Sequence, residues 1–224
     1  MTPLVEPPRI ARLPRDKHHR PVPWFVVWMA ERDGFTREAR PGEPGAVPDF
    51  RVIKPGAIAG AWGRKLCWVC GMPFQRQEPR AFTVGPMCSV NRISAEPPGH
   101  YECAVYSAKA CPFLATPHMT RRDRHLPEGT SDPPGVFLRR NPGAVAVWVT
   151  RYNQPSYRRD KLFDIGAPLF VEWYAQGRAA TRAEILASIE SGLPLLAEPC
   201  QGDRAALAAL RDAHAEALKL VPAR

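Results

Sequence analysis

The chain has no apolar run long enough to cross a membrane. Its densest stretch, Pro23 to Ala30 (PWFVVWMA), falls far short of the about 20 residues that a spanning helix needs. The N-terminus also lacks the pattern of a secretory leader, because Pro3, Glu6, Pro7, Pro8 and Arg9 stand where its apolar segment would be expected. Cytoplasmic residence with no membrane partner is therefore the expectation. In that reducing setting the six cysteines read as thiols or metal ligands before they read as disulfides. There is no internal repeat, no low-complexity tract, no Gly-rich phosphate loop, no GxSxG elbow and no HExxH pair. The usual sequence warrants for nucleotide hydrolysis, serine hydrolysis and zinc peptidase chemistry are thus absent, and a non-enzymatic role is favoured.

What the sequence has in excess is proline and positive charge. The 26 prolines cluster at Pro7-Pro8, Pro97-Pro98 and Pro133-Pro134, which points to ordered loops and short regular elements. Lys and Arg number 31 against 22 Asp and Glu, a formal net charge of +9, with Arg far ahead of Lys. Such a surplus favours polyanions through long-range attraction and counterion release. DNA or RNA is a candidate partner on that ground, although GC-rich coding gives the same Arg-, Ala- and Pro-rich bias.

At 224 residues the chain can bury a substantial core, and the reading is one compact unit, 1–224, with four subregions. Residues 1–60 form an extended basic arm followed by a β segment, with a strand over Trp24 to Met29, a loop over 31–48 and an extended piece at 50–53. Residues 61–118 form the cysteine-bearing module, and 119–142 a basic loop. Residues 143–224 carry strands at 144–150, 162–165 and 169–174, which make a small antiparallel sheet, and then two helices. Thr181-Arg182-Ala183-Glu184 matches a capping box, and Gly192 with Pro194 marks the expected end of that helix. Asp203 opens the last helix, with Leu207, Leu210, His214, Leu218 and Val221 on roughly one face.

The chemistry concentrates in CWVCG, residues 67–71, and HYEC, residues 100–103. Cys67-x2-Cys70 and His100-x2-Cys103 each let two side chains turn toward one ion, and three thiolates with an imidazole make a closed tetrahedral Zn2+ set. At a helix start, residues three apart share a face, so His100 and Cys103 converge without distortion. Cys88 is the alternative ligand in place of His100, because the loop before the helix can approach the first pair. Cys111 lies about 12 Å beyond Cys103 along a continuous helix and reads as a buried thiol, while Cys200 stands alone and reads as structural. A redox CxxC requires the pair at a helix N-terminus, and Gly71-Met72-Pro73 breaks any such helix. A catalytic zinc would need an open position that this donor set fills.

CWVCG, the interval Met72 to Met87 and HYEC, in that order, resemble a treble-clef zinc finger over residues 66–113. That fold joins a CxxCG knuckle, a β-hairpin and a helix whose first turn supplies two ligands. The resemblance implies a hairpin in the interval and a scaffold role for zinc. The wider string CWVCG, GPMCSVNR, EPPGHYEC and ACPFL resembles an uncharacterised family of bacteria and their phages. The fold class expected is α+β, a treble-clef-like zinc module combined with a small antiparallel sheet and two C-terminal helices.

Three further features bear on partners. Arg139, Arg140, Arg151, Tyr152, Tyr157, Arg158, Arg159 and Lys161 gather around the predicted hairpin, where Arg can hold phosphates and Tyr can stack on bases. The amphipathic C-terminal helices offer the alternative of a protein partner. His118, Asp123 and His125 can be drawn as a distant hydrolase or nuclease site, but no HNH-type or paired-carboxylate spacing accompanies them. Trp148 and Trp173 lie inside apolar strands and are assigned to the core.

Overall fold

The computed structural model describes residues 4–32, 34–117, 119–121, 134–135 and 139–223. Chain order begins with a short helix α1 (Pro8–Ala11), then β1 (Val26–Arg32), β2 (Phe35–Ala39), β3 (Val47–Ile53) and α2 (Ala57–Gly63). The middle of the chain supplies β4 (Arg80–Val84), α3 (Pro86–Asn91), β5 (Ile93–Ser94), α4 (Tyr101–Ala110) and α5 (Pro112–Ala115). Then come β6 (Val145–Thr150), β7 (Ser156–Tyr157), β8 (Phe163–Asp164), β9 (Pro168–Ala175) and β10 (Arg178–Ala179). Two long helices close the described chain, α6 (Arg182–Ala197) and α7 (Arg204–Leu218). The fold is mixed α and β, and every strand pairing among the described residues is antiparallel. No helix among them is long and apolar enough to cross a membrane.

The centre is a four-stranded sheet in the order β10-β9-β6-β4. All six residues of β6 are buried, because helices cover both faces of the sheet. Cross-strand pairing puts Phe82 opposite Trp148 and Val84 opposite Ala146 on one face, where Val90 of α3, Ile185 and Ile189 of α6 and Ala217 of α7 complete the main core. The other face presents Ala81, Val145, Val147 and Val149 to Ala104 and Ala108 of α4. Alternation at Val145, Val147 and Val149 describes only this second face. A strand sandwiched between helices buries its even positions too.

Several expected elements take another form. Phe163 and Asp164 leave the central sheet and pair with β5 and β7 in a separate three-stranded sheet, while β4 takes the place beside β6. The loop expected over 31–48 contains β2, whose five residues are exposed except for Ala39, so its pairing with β1 leaves no apolar alternation in the sequence. The extended arm is folded: Pro8 sits in the first turn of α1, where its fixed φ suits a helix start, and Ile10 is fully buried. Two of its charges are spent on nearby carboxylates, Arg15 on Glu6 and Arg20 on Asp16.

The capping box forms as its four residues predict, with Thr181 Oγ1 accepting from the Glu184 amide and Glu184 accepting from the Thr181 amide. Helix α6 does not stop at Gly192. It continues through Pro194 to Ala197, and Gly192 is buried inside it against α3. A Cβ there would lie 2.5 Å from Met87 Cγ, so this glycine serves a close helix approach rather than a left-handed cap.

Candidate metal centre

The knuckle begins with Leu66 bridged to Pro73, and its turn closes through Cys67 N–H to Met72 O (2.8 Å) and Gly71 N–H to Cys67 O (2.9 Å). Gly71 has φ +71°, and a Cβ on it would fall 2.8 Å from Trp24 Cγ. No other residue meets both conditions without strain. Trp68, between the two cysteines, turns away from them and stacks flat on Phe25 at 4.1 Å, which pins the knuckle to the segment leading into β1. Trp24 N–H reinforces this by donating to Val69 O at 3.1 Å.

The second pair arrives on the first turn of α4, with His100 as the extended N-cap residue. The preceding residue, Gly99, exchanges two backbone hydrogen bonds with Ala81 of β4, at 2.9 and 2.7 Å. That pairing is all that stands where a hairpin is expected. The interval Met72 to Met87 contains the single strand β4 and the start of α3, because β4 gives its other edge to β6 and residues 86–98 intervene before the chain returns.

Cys67, Cys70, His100 and Cys103 are all buried, and their ligating atoms lie within 4.8 Å of one another. His100 Nδ1 is 3.3 Å from Cys70 Sγ and 3.9 Å from Cys103 Sγ, and the His100 amide donates to Cys67 Sγ at 3.2 Å. Three sulfurs and one imidazole nitrogen thus face a common centre that could hold a metal ion. Crowding at this distance opposes simultaneous ionisation of three thiols unless a cation sits among them, which is what a thiolate metal site provides. Hydrogen bonds from Cys103 and Cys67 push the Cys70 thiol far down, whereas contacts with Cys67 and then Cys70 push Cys103 up. For His100, burial opposes the charged form, but the sulfurs of Cys67 and Cys70 outweigh it and raise the pKa to about 10.

Cys88 stands apart from this set. It lies on α3 and packs against the main core, where burial pushes its thiol up to about 12. Burial likewise raises the thiol of Cys111 at the C-terminal end of α4. Residues without a metal-binding signature complete the site. Ile10 and Leu13 pack with Cys67, Cys70 and Cys103 in one apolar cluster. Phe74 lies against the His100 ring at 4.7 Å, and the buried Arg80 guanidinium covers Phe74 at 3.8 Å. The only sequence signal for the Ile10 and Leu13 wall is two apolar residues three apart in the basic arm.

The basic residues expected to form one patch sit on several segments of the chain. Arg140 bridges to Thr120 before β6, whereas Arg151 and the exposed Tyr152 follow its other end. Arg139, next to Arg140, accepts from the Arg121 amide through its carbonyl. Tyr157 stacks on Phe163 at 4.7 Å and near Trp62, an arrangement that occupies its ring within the protein. Arg158 is engaged with Asp160 at 2.9 Å and Asp164 at 3.4 Å, while Arg159 and Lys161 are exposed in the β7–β8 turn. His118, Asp123 and His125 lie outside the described residues.

Comparison of the chain with protein-family models, with curated proteins and with solved structures finds no match. The similarity to a bacterial and phage family therefore rests on the quoted motifs alone.

Proposed function

We propose that the four-residue cluster holds one structural Zn2+ and that the chain is a zinc-stabilised, non-enzymatic nucleic-acid-binding protein. The observation that carries the zinc reading is the convergence of three thiols and His100 Nδ1 around one buried point. Thiolate-rich tetrahedral sets suit zinc, and four protein ligands leave no position for a reacting water. Knuckle and α4 together make a treble-clef-like module in which the hairpin is reduced to the Ala81–Gly99 pair.

The polyanion reading is supported by the +9 charge and by the exposed Arg151 and Tyr152 just after β6 and Arg159 and Lys161 in the β7–β8 turn. Binding of a labelled DNA or RNA oligonucleotide, measured across a salt series, tests it. Affinity should fall steeply with salt, and the Arg151→Ala, Arg159→Ala double variant should flatten the log–log slope by up to about 2. Absence of retention at low salt would remove this reading and leave the zinc scaffold standing. In that event the protein-interaction reading gains, since Leu193 and Ala197 of α6 with Leu207, Leu210, Arg211 and His214 of α7 line a largely apolar groove of about 150 Å³.

A further inference from the structure

The imidazole of His100 has two nitrogens, and only Nδ1 faces the sulfurs. Nε2 points the other way, 3.4 Å from Pro73 O and 3.6 Å from Glu78 Oε2. Glu78 is itself held: Oε2 accepts from the Gln75 amide at 2.7 Å, and Oε1 lies 3.6 Å from Arg9 Nη1 of α1. Arg9 also bonds Glu102, which neighbours the ligand Cys103 on α4. A chain of charge therefore runs from α1 through Glu78 to the outer nitrogen of a ligand ring. Side-chain exposures of 23% for Arg9 and 20% for Glu78 place this chain largely out of bulk water, where such contacts are screened less.

We infer that Glu78, anchored by Arg9, is the positioning residue that keeps His100 in the tautomer with Nε2 protonated and Nδ1 free to ligate, so that α1 tunes metal affinity without supplying a ligand. This rests on the metal reading above. The physical reason is the tautomer of a neutral imidazole. A negative charge and a carbonyl beside Nε2 favour the proton there, which leaves the Nδ1 lone pair directed at the ion and raises its basicity. Glu78 and the Pro73 carbonyl share the task, Glu78 acting through charge at a distance too long for a direct hydrogen bond and Pro73 as the acceptor. Pro73 belongs to the knuckle turn, so the turn that presents Cys67 and Cys70 also orients His100.

The test is competitive Zn2+ titration against a chromophoric chelator, with the full-length chain and its Glu78→Gln and Arg9→Gln variants. Glu78→Gln keeps the size and removes the charge, and it should weaken zinc binding by about 10- to 100-fold. Arg9→Gln should weaken it less, and should add little in the Glu78→Gln background because both act through one contact. Nitrogen-15 NMR of the imidazole supplies a readout that a packing defect alone would not move. In the parent His100 should carry its proton on Nε2, and Glu78→Gln should shift that signal or speed its exchange, while Co2+ substitution still reports three thiolate ligands. A parent that binds no zinc overturns the metal centre and this inference together. A parent that binds one zinc while Glu78→Gln binds it equally tightly, with an unchanged His100 signal, overturns the positioning role and leaves the metal centre intact.

Discussion

Around the knuckle, the buried apolar cluster consists of Ile10, Leu13, Val69, Cys67, Cys70 and Cys103, whereas one face of the central sheet buries Phe82, Trp148, Phe163, Ile165, Ile185 and Ile189 among others. The second region has the large side chains whose removal from water stabilises a fold by about 1.5–3 kcal/mol each. The first has half its cluster in cysteine and depends on two short segments and a helix of four residues. Hydrophobic area is scarce where the ligands are dense. On the proposed zinc reading, the difference teaches that one chain would combine two sources of stability, with the knuckle region the one exposed to loss of a single ion.

The largest expected effect separates the two regions outright. A structural zinc supplies about 10–16 kcal/mol of apparent binding free energy, comparable with the whole stability of a domain. Chelation or Cys67→Ser should release about one zinc per chain and collapse amide-exchange protection in α1, the knuckle and the start of α4 before it does so in β6 and β9. Elemental analysis that finds no metal in native protein would end the contrast. Next in size, Phe82→Ala empties a position 1% exposed beneath α3 and α6, and should cost about 3–5 kcal/mol in a denaturant titration of the zinc-loaded protein. Equal sensitivity of that variant's zinc affinity would show the regions to be one cooperative unit.

A smaller loss of about 1–3 kcal/mol is expected from Ser188→Ala, measured by the same titration. Ser188 Oγ accepts from the Ala144 amide at 2.8 Å and donates to Pro142 O at 2.9 Å, so the variant leaves both groups buried without a partner. A neutral result would mean that water replaces the hydroxyl.

The smallest effect is at the cap of α6, where Thr181→Ala should cost about 1 kcal/mol. The Arg178 guanidinium, with the Thr181 amide and hydroxyl, holds the Glu184 carboxyl at about 2, below its ordinary 4.5. Because the folded value is the lower one, this stabilisation is complete above pH 4.5 and fades as pH falls toward 2. The stability gap between the parent and Glu184→Ala should therefore narrow as acid is added. A gap of constant size from neutral pH to pH 3 would contradict the pairing.

What the sequence made legible was local. CxxC, HxxC and TxxE each specify their geometry within one turn, and the structure brings those side chains together as the spacing implies. Several of the failures are long-range. Gly192 followed by Pro194 is the same signal whether a helix ends there or another helix needs to approach, and only the position of Met87 decides. Phe163 reads as a strand residue, but nothing in its neighbourhood says that β5 and β7, rather than β6, will be its partners. Glu78 carries no mark at all, since a glutamate in a turn is ordinary until a histidine from 22 positions later arrives beside it.

The Ala81–Gly99 pair has a consequence for solubility. β4 is the last strand of the central sheet, and the edge it turns away from β6 meets backbone at Ala81 through Gly99. Gly99 is tied to the thiol cluster, since it precedes His100 and its α-carbon faces Cys67 Sγ, which a Cβ there would approach to 3.3 Å. An edge strand with free amides and carbonyls is a template for pairing with another chain. Removing the metal should therefore do more than loosen the knuckle. It should bare the rim of a hydrophobic sheet, so the stripped protein is expected to precipitate by strand-to-strand association.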